Sequence, residues 1–102
     1  MNIITNAGMS KKDIFNAKNA SLNVKDYIDE PLTITGCAVA EDNGKKVGYI
    51  VAKDIGVFGF TSETIIDSLD ELAEFIEEGE TIVKVRANES KSGKTYYTII
   101  ID

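Results

Sequence analysis

The residues best placed to do chemistry lie in the last quarter of the chain. Residues 80–88 (ETIVKVRAN) and 94–102 (KTYYTIIID) read as two strands, joined by a turn at 89–93 (ESKSG). The hairpin carries Lys84 and Arg86 on its first strand, Lys91 and Lys94 at the turn, and Tyr96 and Tyr97 on the return. Lysine and arginine follow a phosphate backbone, and aromatic faces stack on bases, so this composition suits single-stranded nucleic acid. Successive strand residues face opposite sides. Val83, Val85 and Ala87 read as the inward set of the first strand, and Tyr97, Ile99 and Ile101 as that of the second. Lys84 and Arg86 then share an outer face with Tyr96 and Thr98, and Ile100 has the same parity.

Further candidates lie upstream. Lys45 and Lys46 follow an Asn43-Gly44 pair, a strong signal for a tight hairpin turn. Lysines at such tips serve solubility or contact phosphate. Tyr49 shares parity with Val47 and Val51, so it is either a packed ring or a stacking platform. The same two readings apply to Phe58 and Phe60, and a strand pair of phenylalanines usually faces the core. Lys53 closes the strand that begins at Lys46.

Several chemistries are excluded. The chain has no histidine, so it offers neither the commonest general base nor a His-activated serine or cysteine nucleophile. A single cysteine, Cys37, cannot form an internal disulfide and reads as a small buried apolar residue in a reduced, cytoplasmic setting. Glu41, Asp42 and Asp54 lack the regular spacing of a calcium loop. The pattern therefore suggests a binding protein rather than an enzyme, with no metal and no cofactor. No apolar run approaches the ~20 residues of a membrane span.

The net charge of −6 opposes nucleic-acid binding only as an average. Nine acids and no lysine or arginine lie between Asp54 and Glu80, leaving eight acids against eleven bases elsewhere. The acid is concentrated in one element and can be held away from a basic surface.

That element is a helix capped by Thr61 or Ser62, with Ile65, Ile66, Leu69, Leu72, Ala73 and Ile76 at three- and four-residue spacing. Phe75 widens the stripe, and Gly79 stops the helix. Residues 1–9 show no period and read as a loose arm. Ser10 caps a short helix to Lys18, with Ile14 and Phe15 as its apolar residues. Residues 21–29 read as a turn or a single helical turn. Residues 32–41 (LTITGCAVAE) form a strand whose inward parity shifts at Gly36, the mark of a bulge. Residues 46–53 and 57–61 give two more strands.

The order strand, strand, strand, helix, strand, strand predicts a mainly β domain, an OB-fold. This is a five-stranded, partly open Greek-key barrel with one helix between strands three and four. A single domain spans 1–102, with an arm and short helix over 1–30 and the barrel over 31–102. In such barrels ligand crosses strands two and three between flanking loops.

Segments 14–17 (IFNA), 34–40 (ITGCAVA), 57–62 (VFGFTS) and 82–94 (IVKVRANESKSGK), the last followed by an aromatic pair, resemble a known family. They are similar, in order and spacing, to single-stranded DNA-binding proteins of small podophages that infect Gram-positive hosts and replicate by protein priming. The resemblance covers roughly residue 14 to the C-terminus. It implies an OB-fold that coats displaced single strands during phage replication, without sequence preference, in the host cytoplasm. The chain departs from the family in its very short first loop, with Lys45 and Lys46, and in its strongly acidic helix. A competing expectation is a module that recruits a basic replication protein through that helix or a sheet edge. The apolar strand end Ile99, Ile100, Ile101 can also serve as a homo-oligomer edge.

Overall fold

A computed structural model describes residues 2–20 and 22–102. Met1 and Ser21, at the starts of the expected arm and of the segment 21–29, lie outside the described residues. The elements are β1 (Asn2–Ala7), α1 (Lys11–Ala20), a single 3-10 turn (Val24–Tyr27), β2 (Leu32–Asp42), β3 (Lys45–Ala52), β4 (Gly56–Phe60), α2 (Glu63–Glu78), β5 (Thr81–Glu89) and β6 (Thr95–Ile101). All six strands belong to one antiparallel sheet of order β4-β3-β2-β5-β6, with β1 paired to β2. The sheet is open, since β4 and β6 at its two ends are not paired with each other.

Strand β2 organises the rest. Its first residues, Leu32 to Ile34, pair with β5, and its later residues, Cys37 to Glu41, pair with β1. On its other side it runs against β3, with a register shift between Ile34 and Gly36. The bulge anticipated at Gly36 is therefore present. It returns the inward parity from Leu32 and Ile34 to Cys37 and Val39, all buried in one cluster. A Cβ at Gly36 would meet the Gly8 carbonyl at 3.0 Å, a tight contact, so the path of the chain leaving β1 favours glycine there.

Residues 2–7 are a strand rather than the expected loose arm. Their alternation is faint, because only Ala7 is fully buried while Ile3 and Thr5 are half-buried between exposed neighbours. Thr5 Oγ1 also donates to Asp70 of α2, tying β1 to that helix.

The two faces of the sheet are covered differently. On the inner face, Ile65, Ile66, Leu69, Leu72 and Ala73 of α2 pack on Cys37, Val39, Ile50, Ala52, Phe58, Phe60, Val83 and Val85. Burying each large aliphatic side chain contributes about 1.5–3 kcal/mol. Gly48 lets Leu69 seat itself, since a Cβ there would lie 2.6 Å from Leu69 Cδ1. Phe75 does not widen the stripe as expected and is 45% exposed. Ser62 stands at the N-cap of α2 without a side-chain hydrogen bond, and Gly79 ends the helix with its N–H on the Ile76 carbonyl.

On the outer face, α1 lies over β2 and β3. Met9, Ile14 and Ala17 pack on Ala38, Ala40 and Tyr49, with Val47, Val51 and Val57 around them. Ser10 and Asp13 form a capping box, in which each side chain accepts the other residue's N–H at 3.1 Å. The β2–β3 turn is the two-residue Asn43-Gly44 loop, with both φ values positive (53° and 79°), as a type I′ hairpin requires.

Candidate nucleic-acid interface

Among the described residues no helix packs on the outer face of β5 and β6. Cross-strand partners share a face. Lys84 pairs with Ile100, Arg86 with Thr98, and Asn88 with Tyr96. The amide of Asn88 donates to Thr98 Oγ1 at 2.9 Å, which fixes the common side. The result is a strip of Lys84, Arg86, Asn88, Tyr96, Thr98 and Ile100, of which Arg86 and Tyr96 are exposed and the others half-buried. Tyr97 faces the other way and packs against the inner core beside Ile99 and Ile101. Parity in the sequence thus separates the two tyrosines as the structure does.

At the hairpin tip, the Ser90 N–H donates to the Lys94 carbonyl at 2.8 Å, and the Gly93 N–H donates to the Ser90 carbonyl at 2.9 Å. The Ser90 hydroxyl accepts from the Lys94 N–H at 3.2 Å. The turn is therefore ordered, and it holds Lys91 and Lys94 exposed with no ion pair among the described residues. Arg86 lies 3.9 Å from Asp29, an exposed pair at the limit of contact that water and salt screen.

Beside Tyr96 a groove of about 530 Å³ runs between β6 and the end of β4. Tyr96, Thr95, Leu22, Lys25, Gly59 and Thr61 are among its lining residues. Its other wall exists because Leu22 bonds along the edge of β4, donating to the Val57 carbonyl and accepting from the Gly59 N–H. A second groove joins Lys45, Lys46 and Val47 to Thr61, Glu63, Ile66 and Asp67. The two grooves meet at Thr61. Lys45 and Lys46 thus lie on a surface continuous with Tyr96, but with the carboxylates of Glu63 and Asp67 beside them.

Three of the remaining candidates are buried. Tyr49, Phe58 and Phe60 are 3%, 0% and 5% exposed, so none of the three offers a ring face to a ligand. Tyr49 lies beneath α1, where burial raises its hydroxyl pKa above the ordinary value. Phe58 packs edge-on to Tyr27 with ring centroids 5.3 Å apart. The physical reason is that both faces of β3 and β4 are covered, one by α1 and the other by α2. Lys53 is committed to Glu80, whose carboxylate accepts its ammonium at 3.1 Å and holds its pKa above the ordinary value.

Two further exposed residues carry no clear sequence signal, and only the first of them lines the Tyr96 groove. Lys25 was hidden in a segment without period, and Ile82, 45% exposed, stands on the same face as Lys84. Cys37 is wholly buried with its thiol toward the Leu69 carbonyl at 3.7 Å. Burial, and then the charge of Asp70, push its pKa up to about 11. Among the described residues no group of three acidic or cysteine side chains is arranged to hold a metal, and no helix is long and apolar enough to cross a membrane.

Compared with protein-family models, with curated proteins and with solved structures, the chain matches none of them.

Proposed function

We propose that this protein binds single-stranded nucleic acid without sequence preference, through the outer face of the β5–β6 hairpin. The observation that carries the reading is the uncovered strip on which Lys84, Arg86 and Tyr96 stand together, continued by Lys91 and Lys94 at the tip. A backbone following the cations would bring bases over the Tyr96 ring, a mode indifferent to sequence because every base has a π-face. The acidic helix α2 packs its apolar stripe against the inner face, on the side of the sheet opposite to the strip, while its Glu63 and Asp67 border the Lys45–Lys46 groove.

The same reading takes the architecture as an OB-type sheet. A bulged strand shared between two neighbours, the order β4-β3-β2-β5-β6, and a helix between β4 and β5 support it. In this reading the segment around Leu22 pairs along the free edge of β4, and the gap to β6 stays open as the groove beside Tyr96. The role that follows is that of a phage single-stranded DNA-binding protein, acting in the host cytoplasm to coat displaced strands beside other replication proteins.

Titration of a fluorescein-labelled oligothymidine at two salt concentrations tests the proposal. Four hairpin cations on four phosphates give a slope of log K against log salt of about −3. Affinity then falls roughly 50-fold between 50 and 200 mM salt. Absence of saturable binding at about 50 mM salt overturns the reading.

One observation favours a second reading. The Ser90–Lys94 and Asp102–Ile82 hydrogen bonds set the alternation of β6, so Tyr97, Ile99 and Ile101 turn their backbone groups away from β5. Those groups have no backbone partner among the described residues, which suits strand addition by a partner protein or a second copy.

A further inference from the structure

We propose a second nucleic-acid contact on α1, in which the ring of Phe15 stacks on a base while Lys11 and Lys12 hold the flanking phosphates; it rests on the reading above. Of the two large apolar residues of this helix, Ile14 is fully buried and Phe15 is 59% exposed, the most exposed aromatic ring among the described residues. Lys11 and Lys12 stand four and three residues before it, on the same part of the helix surface. The three line a shallow groove with Asn2 and Ile3 of β1.

Charge is sorted across the helix. Asp13, the one acid of α1, is engaged in the capping box with Ser10 and faces a different groove, beside Ala17 and Val57. Lys18 is paired with Asp42 at 3.0 Å. Lys11 and Lys12 have no ion pair among the described residues. They also sit in the first turn, where the helix dipole disfavours a cation. An exposed ring and two cations at the wrong end of the helix both oppose stability, and a phosphate backbone would relieve the repulsion. Helix α1 packs on the same face of the sheet that β5 and β6 leave uncovered, so one strand can visit both contacts.

The chain has no tryptophan, so Phe15→Trp places a single indole at the site. Oligothymidine is expected to quench that indole saturably, with the melting temperature of the protein unchanged. In the background of the natural Phe15, Lys11→Ala with Lys12→Ala is expected to make the salt slope shallower by about 1.4, two phosphates' worth for a single strand. Unquenched indole and an unchanged slope, in a protein that still binds oligothymidine and still loses affinity on Arg86→Ala, overturn this contact and leave the hairpin reading intact. Failure of the natural protein to bind overturns both. An indole signal that tracks protein concentration without oligonucleotide assigns Phe15 to self-association and also overturns the contact.

Discussion

Replacing Tyr96 with alanine isolates the stacking part of the hairpin surface. The ring is 40% exposed and shares its face with Asn88 across the strand pair. Its removal costs stability only the cross-strand contribution, about 0.2–1 kcal/mol. Stacking of one base on an aromatic ring is worth about 1–3 kcal/mol, so affinity for oligothymidine should fall roughly 5- to 150-fold. Because the lost group is uncharged, the slope of log K against log salt should not change. Phe at this position should restore most of the affinity. Tyr97→Ala serves as the internal contrast, because that ring packs against the core. It should lower stability by about 2 kcal/mol, below the range for a fully buried aromatic, and leave affinity at low temperature nearly intact. Anisotropy titrations and thermal melts of both variants decide the matter. Affinity of Tyr96→Ala within twofold of the natural protein, or an equal loss in a folded Tyr97→Ala, would refute the assignment of the outer face.

Lys91→Ala with Lys94→Ala should reduce the salt slope by about 1.4 without altering the melting temperature, since both lysines are exposed at the hairpin tip. Gly48→Ala should destabilise by about 1–3 kcal/mol through overpacking against Leu69, a drop of roughly 5–20 °C in thermal melts. The thiol of Cys37, ordinarily near 9.0 and held at about 11, keeps its proton in the folded protein after the unfolded chain has lost it. Its contribution to stability is thus present below pH 9 and lost between pH 9 and 11. Tyr49, also raised, adds to the same decline. Cys37→Ala should flatten the early part of that decline in denaturant titrations run at successive pH values.

Where local chemistry decides the geometry, the fold is readable from the chain. The Asn43-Gly44 turn, the change of parity at Gly36 and the stripe of α2 each follow from residue types at fixed spacing. The division of Lys84, Arg86 and Tyr96 from Val83, Val85 and Tyr97 follows from the pleat alone. Alternation does not say which face a second layer will cover. Tyr49 has an outward parity but lies under α1, and Phe58 and Phe60 lie on the face claimed by α2. Strand β1 was obscured because Asn2, Ile4 and Asn6 point outward from a strand with only one fully buried residue. The sequence does not say which of the adjacent apolar residues Ile14 and Phe15 takes the one narrow stripe of a short helix, and Ile14 occupies it.

The shared strand also sets an order of opening. Strand β2 has neighbours on both sides along its length, with β1 and α1 attached to its later half and β5 to its first three residues. Each attachment can detach while β2 and β3 stay paired. Backbone amides of β2 and β3 should therefore be the last to exchange with deuterated solvent, and those of β1 and α1 should form a separate, earlier group. The proposed contact surfaces on α1 and on the hairpin then belong to two leaves hinged on one spine, and oligonucleotide bound across both would slow exchange in each.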